Sequence, residues 1–131
     1  MLQPKVYIKS LDKVLEVEFI NFGEKTVEVY DDDYMDFEDP SIGFKCYSFD
    51  EVEFMENTGM KDKNGNYIYE GDIVTVNGTW DCIIEYNQSS CAFVLKSIDS
   101  RWSMGYFSNY DNIEEMLEVI GNVYENEELV E

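Results

Sequence analysis

Histidine is absent from this chain, and basic residues are scarce. The 131 residues include 29 aspartates and glutamates but only 9 lysines and arginines, so the formal net charge is −20. Without histidine, the usual proton shuttle of catalysis at neutral pH is missing. Binding to a nucleic-acid backbone or to an anionic membrane requires lysine and arginine, which are in short supply here. The composition therefore argues against direct nucleic-acid binding, membrane binding and histidine-dependent catalysis.

Cysteine and long apolar runs are also scarce. The three cysteines, Cys46, Cys82 and Cys91, are odd in number and form no C-x-x-C pair, unlike the cysteines of a secreted disulfide scaffold. We expect them to be small core residues. No run is long enough for a secretory signal or a membrane span. These absences predict a reduced cytosolic protein, and the sequence predicts no cofactor.

The acidic clusters of the sequence do not match a calcium-binding motif, and no phosphate-binding motif is present. A calcium-binding EF-hand loop that began at Asp31 or Asp62 would place Asp36 or Tyr67 where that loop requires glycine. We therefore expect residues 31–40 to form an exposed acidic loop and residues 62–65 a plain hairpin turn. The glycine-rich phosphate-binding motifs are missing. The sequence predicts no metal site, no catalytic residues and no enzyme activity.

What the chain does contain is hydrophobic and aromatic residues in the period of a β-strand. It is 44% hydrophobic and 15% aromatic, which excludes a disordered acidic tail. Leu15, Val17 and Phe19 alternate with Glu16 and Glu18, as in a strand with one buried and one wet face. A turn at residues 21–24, which would use the positive φ open to glycine, then leads to a second strand at residues 26–30.

The same pattern predicts short strands through the rest of the chain. They lie at residues 43–47, 52–55, 73–76, 79–86, 92–95, 104–107 and 117–124. Asn64-Gly65 favours a type I′ turn, and residues 111–116 favour one helical turn capped by Asp111 or Asn112. Short strands joined by tight turns predict a mainly β fold with a small barrel in the C-terminal half.

Two blocks of sequence, residues 58–74 and residues 117–126, resemble the YopX family of bacteriophage and prophage proteins. The first reads T-G-M-K-D-K-N-G, then I-Y-E-G-D-I-V; the second reads L-E-V-I-G-N-V-Y-E-N. The resemblance implies a phage or prophage protein of uncharacterised function that is expressed in the bacterial cytoplasm. It also implies an SH3-like β-barrel domain at residues 57–131, preceded by a smaller antiparallel β region at residues 1–56, with little helix.

The matching positions are interpreted as structural rather than chemical. Gly59, Gly65 and Gly71 suit turns that need unusual φ, Ile120 and Val123 suit core contacts, and Gly121 suits a bulge or a close approach. The structural motif comprises Gly59, Asp62, Asn64, Gly65, Tyr69, Glu70, Gly71, Asp72, Ile73, Gly121 and Asn122.

Aromatic residues in the least charged part of the chain provide a candidate contact surface. Residues 61–110 have a net charge of −2, whereas residues 1–60 have −10 and residues 111–131 have −8. Trp102, Tyr106, Phe107 and Tyr110 lie in that nearly neutral segment, and aromatic side chains are favoured at binding surfaces. We therefore predict a non-enzymatic module that binds a host or phage protein.

The acidity supports an alternative, a DNA mimic that inhibits a host nucleic-acid-binding protein. Direct nucleic-acid binding by the barrel is a third, weaker hypothesis. Unprotected sheet edges leave homo-oligomerisation open.

Overall fold

The computed structural model describes residues 3–34, 38–98, 105–106 and 112–130, and its regular structure is mainly antiparallel β. The chain divides into two compact units, residues 1–56 and residues 57–131, called here the N-terminal unit and the C-terminal unit. Helical structure in the described residues is short. It comprises α1 (Ile113–Met116) and 3-10 turns at Asp32–Tyr34, Pro40–Gly43, Phe49–Glu51 and Glu127–Leu129.

The N-terminal unit is built on one five-stranded antiparallel sheet in the order β4-β3-β2-β1-β5. Its strands are β1 (Lys5–Ile8), β2 (Lys13–Asn21), β3 (Thr26–Tyr30), β4 (Phe44–Ser48) and β5 (Val52–Met55). The predicted hairpin of β2 and β3 is present. Its turn takes positive φ at Lys25 rather than at Gly23, and the Asn21 side chain accepts a hydrogen bond from the backbone N–H of Glu24.

The core of this unit is formed by valine and isoleucine side chains on one face of the sheet. Its fully or nearly buried members are Val6, Ile8, Val17, Val27, Val29 and Val52. The expectation that Phe19 shares the buried face with Val17 is wrong. The register of β2 against β3 shifts between these two residues, so a bulge at Glu18 turns Phe19 outward and brings Ile20 to the core.

The prediction of an exposed loop over residues 31–40 is wrong at its first residue. Asp31 has no solvent-accessible surface, and its backbone N–H donates to the carbonyl of Gly43. The Asp31 carboxylate is buried because the ammonium group of Lys13, on β2, reaches it. A charge pattern alone does not reveal that a distant lysine neutralises one member of an acidic run.

The C-terminal unit contains a two-stranded sheet, β6-β7, and a five-stranded antiparallel sheet in the order β11-β10-β9-β8-β12. Its strands are β6 (Asn57–Lys61), β7 (Tyr67–Tyr69), β8 (Asp72–Val76), β9 (Trp80–Asn87), β10 (Ala92–Ser97), β11 (Gly105–Tyr106) and β12 (Leu117–Asn122). The mainly β fold is thus confirmed. Within the described residues the larger sheet is open, with β11 and β12 at its two edges, and does not close into a barrel.

The turns of this unit differ from expectation in one respect. Asn64 does not adopt positive φ, so the turn at residues 62–65 is not type I′. The Asp62 side chain organises it instead, accepting the backbone N–H of Asn64. Positive φ at two successive residues occurs at Asn77 and Gly78, where the N–H of Thr79 bonds to the carbonyl of Val76 and joins β8 to β9.

A second core fills the C-terminal unit. It comprises Ile68, Val74, Val76, Cys82, Ile84, Leu95, Ile113 and Leu117. The three cysteines lie in different environments. Cys82 is buried in this core, whereas Cys46 and Cys91 are exposed. The expectation that all three are core residues is therefore wrong for Cys46 and Cys91. Both lie on the outward side of their local structure, Cys46 in β4 and Cys91 in a turn at positive φ.

Candidate functional site

The carboxylate of Asp62 joins the two sequence blocks that resemble the YopX family. Asp62 is only 4% exposed. Its Oδ1 accepts the backbone N–H groups of Asn64 at 3.0 Å and Asn66 at 2.9 Å, and its Oδ2 accepts that of Val119, on β12, at 3.0 Å. One side chain therefore folds the turn after β6 and fixes that turn to β12, 57 residues later in the chain.

The neighbouring residues of the turn reach the same strand. The backbone N–H of Lys63 donates to the carbonyl of Leu117 at 2.8 Å. The Asn64 amide donates to Glu118 at 3.1 Å, and the Lys63 ammonium group lies 3.6 Å from the same carboxylate. We call this contact between the 62–66 turn and β12 the motif junction.

The I-Y-E-G-D part of the first block forms a second buried turn. The Asp72 carboxylate, 4% exposed, accepts the backbone N–H of Tyr69 at 2.8 Å. Gly71, at φ +89°, donates its backbone N–H to the carbonyl of Ile84, and its own carbonyl accepts the N–H of Val123.

The other residues of the first block lie in turns or in the core. Glu70 lies in the same turn as Gly71, and Ile73 is fully buried in β8. Gly59 and Gly65 also have positive φ, at 82° and 83°.

The second block ends in a turn organised by Asn122. The side-chain oxygen of Asn122 accepts hydrogen bonds from the backbone N–H groups of Tyr124 and Glu125. The backbone N–H of Asn122 donates to the side-chain oxygen of Asn126 at 3.1 Å. A Cβ atom on Gly121 would lie 2.5 Å from that Asn126 oxygen. The Asn126 side chain thus occupies the space that a larger residue at position 121 would need.

The expectation that Ile120 is a core contact is wrong. The register of β12 against β8 shifts between Val119 and Gly121, so a bulge leaves the Ile120 side chain 38% exposed. The motif residues as a group therefore hold turns and strand ends together. The carboxylates of Asp62 and Asp72 accept hydrogen bonds from backbone N–H groups, which suits a structural role rather than chemistry on a substrate.

The predicted aromatic contact surface lies largely outside the described residues. Trp102, Phe107 and Tyr110 are not described, and of Tyr106 only the backbone is, in β11 opposite Val94. This surface stays a prediction.

The N-terminal unit exposes large apolar side chains that the sequence did not predict as a contact surface. Phe19, Phe22, Ile42 and Phe44 are 67%, 76%, 50% and 47% exposed. Phe19 and Phe22 line an open depression together with Glu28 and Cys46. The sequence does hold a signal for Phe19: Leu15 and Val17 are followed by Ile20, and this jump of three residues marks the bulge.

The only fully buried carboxylate among the described residues, that of Asp31, forms an ion pair within the N-terminal unit. The Lys13 ammonium group donates to Asp31 Oδ1 at 2.7 Å and also to Asp33, and these hydrogen bonds raise the pKa of Lys13. Burial raises the pKa of Asp31, but the hydrogen bonds from Lys13 and from the N–H of Asp33 outweigh burial and lower it. Asp31 Oδ2 is buried without a hydrogen-bond partner.

The other side chains offer little for catalysis. Burial, with a smaller effect from Asp81, raises the pKa of the Cys82 thiol, so the reactive thiolate is disfavoured. In the part of the chain that the structure describes, no three Cys, Asp or Glu side chains are grouped so as to hold a metal ion. No helix in those residues is both long and apolar enough to cross a bilayer.

Comparison with known proteins gives a family and a fold. The family model described as YopX protein matches residues 6–131. No curated protein matches the chain. Among solved structures, the crystal structure of protein EF1440 from Enterococcus faecalis is similar, with a TM-score of 0.63 and 23% sequence identity over 98% of this chain and 97% of that one. At this identity the likeness concerns the fold alone.

Proposed function

This chain belongs to the YopX family, and on that premise we propose that it is a phage- or prophage-encoded, non-enzymatic module that binds a protein in the bacterial cytoplasm. The partner is a host or phage protein. The observation that carries this proposal is the pair of exposed phenylalanines, Phe19 and Phe22, that line one depression on the N-terminal unit.

Large side chains of this kind are unusual on the wet face of an antiparallel sheet. Such a face is normally polar, because alternation places the apolar residues on the core side. Phe19 breaks this rule in β2, and Phe44 lies beside the Tyr30 ring, with ring centroids 4.8 Å apart. Exposed apolar side chains that lie together on a protein surface mark sites of interaction. Phe19 and Phe22 line one depression, which supports protein binding.

We also propose that the C-terminal unit is SH3-like. In support, β8 to β11 follow one another as antiparallel neighbours, and β12 returns after a helical turn to pair with β8. This connection brings the last strand beside the first strand of the meander, which is the order expected of a small barrel.

A DNA mimic is the second candidate, and the excess of carboxylates favours it. The chain has 29 acidic and 9 basic residues, so at least 20 carboxylates have no basic side chain of this chain to balance them. A surface of that kind attracts basic grooves from a distance.

Capture of a partner from nuclease-treated bacterial lysate by the immobilised full chain tests both candidates. The interaction module predicts that a discrete protein is retained reproducibly at physiological salt. A DNA mimic predicts that the captured protein binds nucleic acid, is released at high salt and is displaced by duplex DNA. If nothing is retained reproducibly in any host strain, both proposals fail.

A further inference from the structure

The outer face of β2, β3 and β4 is formed by residues that stand opposite one another in the sheet. Phe19 on β2 pairs with Glu28 on β3, and Glu28 pairs with Cys46 on β4. Asn21 and Thr26 form the next row toward the hairpin turn. This row order places an aromatic ring, a carboxylate and a thiol side by side on one surface, which we call the docking face.

A depression of about 510 Å³ lies on the docking face. It is lined by Phe19, Ile20, Asn21, Phe22, Thr26, Glu28 and Cys46. Its volume is within the range of sites that accept a side chain or small ligand, about 300–1,000 Å³. Phe22, in the turn, makes an edge-to-face contact with Phe49, and the ring centroids are 6.2 Å apart. The Phe22 ring therefore packs against Phe49 on one side, while most of its surface is exposed to solvent.

Glu28 is the charged side chain that lines this depression, and it belongs to a stretch of the sequence with an excess of acidic residues. Residues 13–48 contain 10 acidic and 3 basic side chains, a net charge of −7. One of the three, Lys13, is already bound to Asp31 and Asp33. Glu28 lies inside the depression and has no ion pair among those that the structure describes. A partner that covers Glu28 must supply a positive charge, because a buried carboxylate without a partner is costly.

Charge decides between the classes of occupant. A second copy of this chain would bring a further net charge of −20 to the interface, and a nucleic acid would bring phosphates. We infer that the docking face binds a basic segment of the partner protein, which inserts one large apolar side chain between Phe19 and Phe22 and places a lysine or arginine against Glu28. This inference rests on the proposed function and specifies the chemistry of the partner.

Selection from a random dodecapeptide display library on the immobilised full chain tests the inference without knowledge of the partner. The expected result is enrichment of peptides that carry an aromatic or large aliphatic residue flanked by lysine or arginine. Synthetic copies of the enriched peptides should bind the Phe19→Ser variant at least about tenfold more weakly, as expected for loss of an aromatic contact at the centre of an interface.

Two further variants separate the apolar and the charged parts of the site. Glu28→Gln should weaken binding about threefold and make it less sensitive to salt, because a partly exposed ion pair contributes modestly. Trp80→Ser is the matched control, since Trp80 is 50% exposed but belongs to the C-terminal unit, and it should leave binding unchanged. Circular dichroism should show that all three variants remain folded.

Three results would overturn the inference. They are the absence of any enrichment, enrichment of peptides without basic residues, and equal binding to wild type and Phe19→Ser. None of these results removes the proposed function, which depends on capture from lysate by the full chain. If the lysate partner is retained equally by wild type and Phe19→Ser, protein binding stands and the docking face is wrong.

Discussion

Asp62 is the residue that connects the two sequence blocks resembling the YopX family, residues 58–74 and residues 117–126. An almost fully buried carboxylate needs several hydrogen-bond donors, and three backbone N–H groups donate to this one. Two of these donors lie in its own turn and the third lies on β12. One buried side chain therefore constrains residues of both blocks through three hydrogen bonds.

Replacing Asp62 should destabilise the C-terminal unit in a graded way. Asp62→Ala leaves three backbone donors unpaired and is expected to lower the free energy of unfolding by about 3 kcal/mol, whereas Asp62→Asn, which keeps one acceptor oxygen, should cost about 1 kcal/mol. Urea unfolding measures both changes. Asp81→Ala, at an exposed position of β9, is the control and should change stability by less than about 0.5 kcal/mol. Equal stability of Asp62→Ala and Asp81→Ala would refute the structural role of Asp62.

The ion pair of Asp31 with Lys13 predicts a pH dependence of stability. The pKa of Asp31 lies below its ordinary value of 3.8 in the folded chain, so the ionised carboxylate stabilises the fold above that pH. This contribution is lost as the pH falls below 3.8 and through the folded pKa. Asp31→Asn should lower the free energy of unfolding by about 2 kcal/mol at pH 7.

Urea unfolding of wild type and Asp31→Asn between pH 7 and pH 2.5 checks this prediction. The difference between the two proteins should be constant down to about pH 5 and shrink toward lower pH. Comparison with the variant is needed because the many other carboxylates titrate in the same range. A difference that does not change with pH would show that the Asp31 charge is not what stabilises the fold.

At the scale of elements, periodicity predicts the strands better than it predicts their faces. The alternation of apolar and polar residues locates β2, β3 and β9, because a half-buried strand requires that pattern, and a β-branched run locates β8. The face of Phe19 was mispredicted because a bulge adds one residue and reverses every side chain beyond it. The exposure of Ile120, beside the bulge of β12, was mispredicted for the same reason.

Long-range polar contacts could not be predicted at all from pattern. Nothing in the sequence pairs Lys13 with Asp31 or Asp62 with the N–H of Val119, since each partner is one of many with the same charge or the same backbone donor. The docking face was missed for both reasons. Its aromatic residue, Phe19, was assigned to the core, and its carboxylate, Glu28, is indistinguishable by sequence from any other acid of the sheet.

The end of β12 depends on the absence of a side chain at Gly121. Gly121→Ala would place a methyl group 2.5 Å from the Asn126 oxygen and displace the acceptor of the Asn122 N–H. We expect a loss of about 1 to 2 kcal/mol. Because the clash and the hydrogen bond involve the same side chain, Gly121→Ala should cost much less in an Asn126→Ala background. Thermal unfolding of the two single variants and the double variant measures this coupling, and strictly additive losses would contradict it.

At the scale of the whole molecule, the two units carry the same net charge, and both expose large apolar side chains among the described residues. Residues 1–56 contain 15 acidic and 5 basic residues and residues 57–131 contain 14 and 4, a net charge of −10 for each unit. The N-terminal unit adds two exposed phenylalanines that line one depression. The C-terminal unit adds the motif junction, in which the polar groups bind one another. The proposed docking face therefore lies in the first unit, and the hydrogen-bonded contacts between the two motif blocks lie in the second.

The two units should be separable, because each has its own sheet and its own core. We predict that residues 57–131 expressed alone fold, giving a dispersed amide NMR spectrum and a cooperative thermal transition. Asp62→Ala should lower the free energy of unfolding of this fragment by the same amount, about 3 kcal/mol, as in the full chain, because every partner of Asp62 lies within the fragment. An unfolded fragment, or a loss that differs from the full chain by more than about 1 kcal/mol, would show instead that residues 1–56 contribute directly to the stability of the motif junction.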